Sequence, residues 1–448
     1  MGGGMLSAKK YISTVPFSGL FNWSVQYLND SKISFSKAYP MMRIGEFLKR
    51  NKTAVTIEDD KTYKRATIKV RNGGIFLRNE EIGSKIGTKN QFLIFKGQFL
   101  LSKIDARNGA FGVVPEELDG GIITGNFWTF DVNYDIVNPH YLALLTTTKA
   151  FVDFCEQASN GTTNRHYLQE PLFLNIKVPV PSLAEQNKLV EEYNKQVIVA
   201  DKLVQECQTI DNNILQYFEN AIGLKQSARK TKLLSLMRYA DISNRWDSFA
   251  VTNKLSASVP IYPLGNFIKD IATGTTPPTA KREYFNGDIK FYTPSDIRGN
   301  MYLTNTERTL TQKAIDDKKA RVFHKGDILF VGIGSTVGKV GIVNDEMVSS
   351  NQQITGITLN NKEIYPEYAF YYLHYHKELT TAEHSKTTLP IVNQEKIANI
   401  PIPVPAMAQQ IEMVEHMNEM RNKIGTLYRS SIKSRIKALK NFETQIFE

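Results

Sequence analysis

A twelve-residue junction occurs twice in this chain, and its repetition leaves few folds open. Residues 175–186 read Asn-Ile-Lys-Val-Pro-Val-Pro-Ser-Leu-Ala-Glu-Gln. Residues 399–410 read Asn-Ile-Pro-Ile-Pro-Val-Pro-Ala-Met-Ala-Gln-Gln. Asn399 follows Asn175 by 224 residues, and Pro405 follows Pro181 by the same interval. A long proline-free run comes after each copy, one to Leu224 and one to Glu448. Each junction therefore predicts a short strand, a Pro-x-Pro breaker and a long helix, and a chain that does this twice is read as a duplicated unit.

Further matches run in the same order. Ile44-Gly45-Glu46-Phe47 answers to Leu264-Gly265-Asn266-Phe267, Lys96-Gly97 to Lys325-Gly326, Phe111-Gly112 to Val340-Gly341, and Pro139 to Pro366. Trp23 and Trp246 pair more loosely. Residues 274–288 and 61–71 have no sequence counterpart in the other copy, so a common framework with different loops is expected. The domains are expected at 36–181 and 259–405, with helices at 182–224 and 406–448. An apolar docking segment is expected within 1–35 and a linker at 225–258.

Within the first copy, alternation predicts strands at 66–70 and 73–77, a hairpin over 92–102 turning at Lys96-Gly97, and a strand at 122–132. Tyr141, Leu142, Leu144, Leu145, Ala150, Phe151 and Phe154 predict a helix over 139–158. Ser182 with Glu185 forms a capping box for the first long helix. Its seam is expected at Gln186, Val190, Tyr193, Val197, Ala200, Val204, Cys207, Asp211, Ile214 and Phe218, with Gln186 and Asp211 as polar exceptions. The closing helix carries Met413, Met417, Met420, Ile424 and Leu427, then a phase shift to Ile432, Ile436 and Leu439. Seams of this kind need a partner helix. The expected fold class is α+β: two tandem domains with a pseudo-twofold internal repeat, joined by two long antiparallel coiled-coil helices that put the domains at opposite ends.

The 448 residues, 42% hydrophobic, suffice for two or three cores. A net charge of +10 points to an anionic partner. No apolar run approaches 18 residues, so no membrane span is expected. Met1 to Gly4 reads as a flexible leader. Two cysteines, Cys155 and Cys207, show neither zinc spacing nor a disulfide framework, so a reducing cytoplasm is expected.

Catalytic patterns reduce to decoys. Phe330-Val-Gly-Ile-Gly fits a loop that cradles S-adenosylmethionine, and Asn138-Pro-His-Tyr approximates the loop that holds a flipped adenine. They lie in different copies, the second proline of the adenine loop is missing, and each aligns with a non-catalytic counterpart in the other copy, so both are read as structural. Gly332 to Lys339 lacks Walker spacing. His374, His376 and His384 lack a completing ligand, so no metal is expected.

Basic and amide side chains gather in the loops instead. In the first copy these are Lys64, Arg65, Lys69, Arg71, Lys89, Lys103 and Arg107. In the second they are Lys281, Arg282, Arg298 and Lys339, beside Thr275, Thr276, Tyr284, Ser335, Thr336, Gln352 and Gln353. Arginine and lysine grip phosphates or read guanine, and Asn or Gln can read adenine with two hydrogen bonds. All are expected DNA contacts, with no catalytic residue among them.

The paired junctions and helices, with Tyr262-Pro-Leu-Gly, Gly274-Thr-Thr-Pro-Pro, Lys325-Gly-Asp-Ile-Leu, Asn351-Gln-Gln and Lys103-Ile-Asp-Ala-Arg-Asn-Gly, make the chain similar to a type I restriction–modification specificity subunit over residues 17–448. The resemblance implies two target-recognition domains, each reading half of a bipartite asymmetric DNA site, and a coiled-coil spacer setting the gap. It implies two methyltransferase subunits as partners, with restriction subunits able to join, in the cytoplasm of a bacterium or archaeon. S-adenosylmethionine, ATP and Mg would belong to those partners, and this chain would bind no cofactor. A stand-alone adenine methyltransferase and a coiled-coil scaffold for proteins alone are the rival readings.

Overall fold

The computed structural model of the protein describes residues 39–70, 73–148, 151–152, 155, 159–160, 167–226, 255–378 and 390–447. The expected docking segment at 1–35 lies outside them, as does nearly all of the linker at 225–258. The chain divides into two compact units, Met1–Leu203 with Arg429–Glu448, and Val204–Tyr428. Among the described residues, no helix is long and apolar enough to cross a membrane.

Both units use one plan. In the first, strands run in the order Leu48–Asn51, Phe127–Val132, Phe99–Ser102, Phe111–Val113. In the second, Ile268–Thr273, Ile354–Leu359, Ile328–Val331 and Val340–Val343 repeat that order, and Tyr302–Leu303 adds a fifth strand. Registers repeat too: Leu101 faces Phe111 as Phe330 faces Val340. A second sheet also recurs. Strand Thr62–Lys69 lies parallel to Gly121–Ile123, as Phe285–Tyr292 lies parallel to Met347–Ser350. The strand Thr62–Lys69 thus has a structural counterpart that its sequence conceals.

Two expected elements divide between sheets. The stretch 92–102 is no hairpin: Asn90–Ile94 pairs in the second sheet, and Phe99–Ser102 in the first. The corner is braced by the buried Gln98, whose amide accepts from the Phe95 N–H at 2.9 Å and the Thr129 hydroxyl at 2.7 Å. At this corner Gly97 has φ +81, and a Cβ there would stand 2.1 Å from the Tyr134 hydroxyl. The strand expected at 122–132 breaks likewise at Thr124 to Asn126, into Gly121–Ile123 and Phe127–Val132. Alternation shows which face of a strand is buried, but it does not choose the neighbouring strand. The helix expected over 139–158 is interrupted: Pro139–Thr146 closes where the Thr147 and Thr148 hydroxyls turn back onto the Leu144 and Leu145 carbonyls, and the described residues 151, 152 and 155 are helical again.

The junctions open two helices, Leu183–Ala221 and Met407–Phe447. Gln186 and Gln410, polar exceptions to an apolar seam, are both fully buried. The Gln186 amide donates to the carbonyls of Pro181 at 2.8 Å and Ile136 at 3.0 Å, and its oxygen accepts from the Asn138 N–H at 2.8 Å. Gln410 repeats all three bonds, to Pro405 at 2.9 Å, Glu363 at 3.3 Å and from the Tyr365 N–H at 2.8 Å. Each glutamine fastens its helix to the globular part of its own unit.

Elsewhere the first helix buries Leu189 and Ile210, each one place before the expected Val190 and Asp211. Asp211 is exposed and accepts the Tyr375 hydroxyl at 2.6 Å. No phase shift occurs in the second helix. Its three-four spacing continues through Ser431 and Ala438 to Phe442, which leaves Ile432 43% and Ile436 63% exposed. In the first unit the two helices run antiparallel, with Glu192 beside Gln445 and Asp201 paired with Arg435. The second unit shows the same sense, with Glu206 and Lys423 3.0 Å apart and Tyr217 against His416.

His374 and His376 serve packing. His376 stacks on Tyr372, and its Nε2 lies 3.4 Å from the Glu219 carboxylate. His374 stacks on Phe370, and His384 lies outside the described residues. No group of three metal-ligating side chains forms among the described residues. Burial, with Arg421 nearby, lowers His374 from 6.5 to about 4, and burial lowers His376 as well. The unfolded chain gains these protons near pH 6.5 while the folded chain resists them, so acid favours unfolding. The melting temperature of the second unit is therefore expected to fall as pH drops from about 6.5 toward 4. His374→Gln should flatten that slope in melts at several pH values, and an unchanged slope would contradict this reading.

Candidate nucleic-acid interface

In the second unit four loops converge beyond the strand ends. The loop after Ile328–Val331 carries Gly332 to Lys339. The Gly332 N–H donates to the Gln353 carbonyl at 2.8 Å, and its own carbonyl accepts from the Val392 N–H at 2.8 Å. A Cβ at Gly332 would stand 2.8 Å from the Val392 carbonyl oxygen, so the chain crossing demands glycine. The Gly-Ile-Gly stretch that mimics a cofactor loop is thus a crossing point of the backbone. The loop at Thr275 and Thr276 joins the same place. The Thr276 hydroxyl donates to the Gln352 amide oxygen at 2.6 Å, and the Gly274 N–H to Ile354 at 2.9 Å. Asn351 braces Gln353 from within the loop, its amide donating to the Gln353 amide oxygen at 3.0 Å.

The expected contacts separate on this geometry. Thr276, Gln352 and Gln353 are brought together, with Thr336 and Lys339 half-buried and Ser335 exposed on the adjoining loop. Thr275, Lys281, Arg282 and Arg298 are exposed, and the Arg298 guanidinium donates to the Ser295 carbonyl at 3.3 Å. Tyr284 is a correction. It is only 2% exposed, packs with Ile289, Phe291 and Leu310, and donates its hydroxyl to Asp317 at 3.1 Å. It is a core residue over which the Lys281 ammonium sits, 5.7 Å from the ring centroid.

In the first unit, Lys64, Arg65 and Lys69 lie on Thr62–Lys69, paired with Gly74–Ile82. Lys64 stands opposite Glu80, which dilutes the positive charge there. Lys69 covers the Phe76 ring at 4.5 Å. The Lys89 ammonium is held by Asp59 and by the Gly83 carbonyl, so it closes a loop of its own unit. Lys103 is half-buried on the loop after Phe99–Ser102. Arg71 and the side chain of Arg107 lie outside the described residues. Sequence reading missed Asn126, exposed between the halves of the divided strand. Aligning Phe127 with Ile354 would have placed it.

Asn138, the adenine-loop decoy, caps a helix: its side chain accepts from the His140 N–H at 2.8 Å and donates to Asn187 at 2.7 Å.

Comparison with known proteins agrees with this architecture. The profile of the type I restriction modification DNA specificity domain matches residues 37–234 and again 263–438. The type I restriction enzyme MjaIX specificity subunit of Methanocaldococcus jannaschii is 30% identical over 150 residues, 32% of this chain and 33% of that protein. This chain thus spans a third of that relative's length. The MjaVIII specificity subunit of the same organism is 20% identical over 401 residues, 86% and 87% of the two chains. A chain from a structure addressing complex assembly and conformational transition of the type I R-M system superposes with a TM-score of 0.51 at 16% identity, covering 92% of this chain and 97% of that one. With most of its length matched to one domain twice over, the chain belongs to the type I restriction–modification DNA specificity family.

Proposed function

We propose that this chain reads a bipartite, asymmetric DNA site, one half with each recognition domain (36–181 and 259–405). The long helices (182–224 and 406–448) act as an antiparallel coiled-coil spacer between the two readers. The supporting observation is the reuse of one framework, down to the Gln186 and Gln410 bonds, beneath loops of different content. Two readers of unlike sequence suit an asymmetric site. Methyltransferase subunits dock on the helices, where Ile198, Val199, Ile432 and Ile436 leave aliphatic surface exposed. Restriction subunits join that assembly. S-adenosylmethionine, ATP and Mg bind in those partners. Both short motifs that favour a methyltransferase reading have structural duties in this chain, which leaves the chemistry to other subunits.

Coexpression with a methyltransferase subunit and sequencing of the resulting methylome is the direct test. A gapped two-part motif is the expected outcome, and its absence in repeated preparations of an intact complex would refute the reading. Binding of the complex to a duplex carrying the motif should weaken about a thousandfold or more between 50 and 200 mM salt, if about six or more phosphates are neutralised. A salt-independent affinity would point to a protein scaffold.

A further inference from the structure

The first unit contains a loop that repeats the backbone of residues 351–353, although its sequence does not announce it. In the second unit, the strand of the second sheet passes to the strand of the first through Asn351, Gln352 and Gln353. In the first unit, the same passage is made by Thr124, Gly125 and Asn126. Three backbone bonds hold both loops in the same way. The Phe127 N–H donates to the Thr124 carbonyl at 3.1 Å, as Ile354 does to Asn351 at 3.1 Å. The Lys103 N–H donates to the Asn126 carbonyl at 3.0 Å, as Gly332 does to Gln353 at 2.8 Å. The Leu168 N–H then donates to the Lys103 carbonyl at 2.8 Å, as Val392 does to Gly332 at 2.8 Å.

Side chains on this common backbone differ by one place. In the second unit Gln353 is braced by Asn351, while Gln352 is exposed and has its amide oxygen oriented by Thr276. Its amide nitrogen donates to nothing among the described residues. In the first unit, glycine stands where Gln352 stands, and the exposed amide belongs to Asn126, whose side chain forms no hydrogen bond among the described residues. A short amide on a pinned loop loses little freedom on binding, and it offers the donor and acceptor pair that reads adenine in the major groove.

Resting on the DNA-reading function proposed above, we infer that Asn126 and Gln352, one place apart on repeat-related loops, are base-reading residues, each deciding one position in a different half of the site. Thr276 is the positioning residue for Gln352. The two loops thus read the two halves from one backbone geometry with amides of different length and place.

The test uses the full chain coexpressed with its methyltransferase subunit. Methylomes are compared for the unaltered chain, Asn126→Ala, Gln352→Ala and Thr276→Val. Asn126→Ala is expected to relax one base position in one half of the motif by about 10- to 100-fold, the range for losing a two-bond base contact. Gln352→Ala should do the same in the other half, with Thr276→Val relaxing that same position less. Asn126→Gln should alter the base preferred at the position that Asn126→Ala relaxes. Intact motifs in both alanine variants, or relaxation of the same half by both, would overturn the inference while leaving the two-part site standing. Absence of any two-part motif with the unaltered chain would instead remove the reading on which it rests. Loss of all methylation in Asn126→Ala, with an unchanged melting temperature and Asn126→Gln still methylating the original motif, would also count against a single-position role.

Discussion

Replacing Gln410 by alanine is expected to destabilise the second unit by about 2–5 kcal/mol, although it removes only a small polar group. The substitution strands the Tyr365 N–H, which then lacks its acceptor, and the Pro405 carbonyl, which loses its donor at 2.9 Å. Each buried group left without a partner costs about 1–3 kcal/mol. For a unit of this size that is a fall of roughly 5–15 °C in the melting temperature. Gln410→Met separates the causes, since it fills the volume without restoring any bond. If the hydrogen bonds dominate, Met is nearly as harmful as Ala; if Met melts like the unaltered chain, the cavity was the cause and the joint is a packing feature. Gln186→Ala should mirror the effect in the first unit, since its three partners are the same kind of backbone group.

A larger functional effect is expected from removing one heptad from each long helix, residues 202–208 and 422–428. Seven residues are two turns of a coiled-coil helix, so both seams keep their facing. Each helix shortens by about 10 Å, close to three base pairs of duplex at about 3.4 Å each. On the spacer reading proposed above, the original motif should no longer be methylated. Any residual methylation should fall on the same two halves with a gap about three base pairs narrower. Undiminished methylation of the original site by the shortened chain would rule out the helices as a ruler.

The duplication was legible in the sequence because it rests on order: Gly45 before Lys96, Gly112, Pro139 and Pro181, and the same series again. The helices were legible as long proline-free runs. Hydrophobic spacing located most of each seam, but it took Val190 and the charged Asp211 where Leu189 and Ile210, one place earlier, are the more deeply buried residues. The supposed phase shift followed Ile432 and Ile436 because spacing rules read aliphatic residues as buried. Ser431 and Ala438, small residues that spacing rules do not count as apolar anchors, are the ones buried there, 2% and 1% exposed. The hairpin at 92–102 failed for a related reason, since strand partners are chosen across the chain and the corner depends on Gln98 reaching Phe95 and Thr129.

The candidate site was legible by residue type and obscure in arrangement. Thr276, Gln352 and Gln353 were singled out, yet nothing in their spacing says that a hydroxyl from residue 276 meets an amide at residue 352. Tyr284 looked like a surface aromatic among basic loops, and burial of its ring inside the strand cluster is a property of the second sheet. Asn126 escaped because one asparagine beside one glycine has no signature until its backbone is laid over that of Gln353.

The glutamine joints touch only main-chain atoms of the domains they hold: an N–H at residue 138 or 365, and carbonyls at 136 and 181 or 363 and 405. Main-chain atoms are the same whatever side chains a domain carries. Such a fitting is indifferent to what it holds, so the loops of a reader can be rewritten wholesale, or one reader exchanged for another of the same backbone, without altering the helix beneath it. A protein built this way can acquire new targets by changing its parts while keeping its frame.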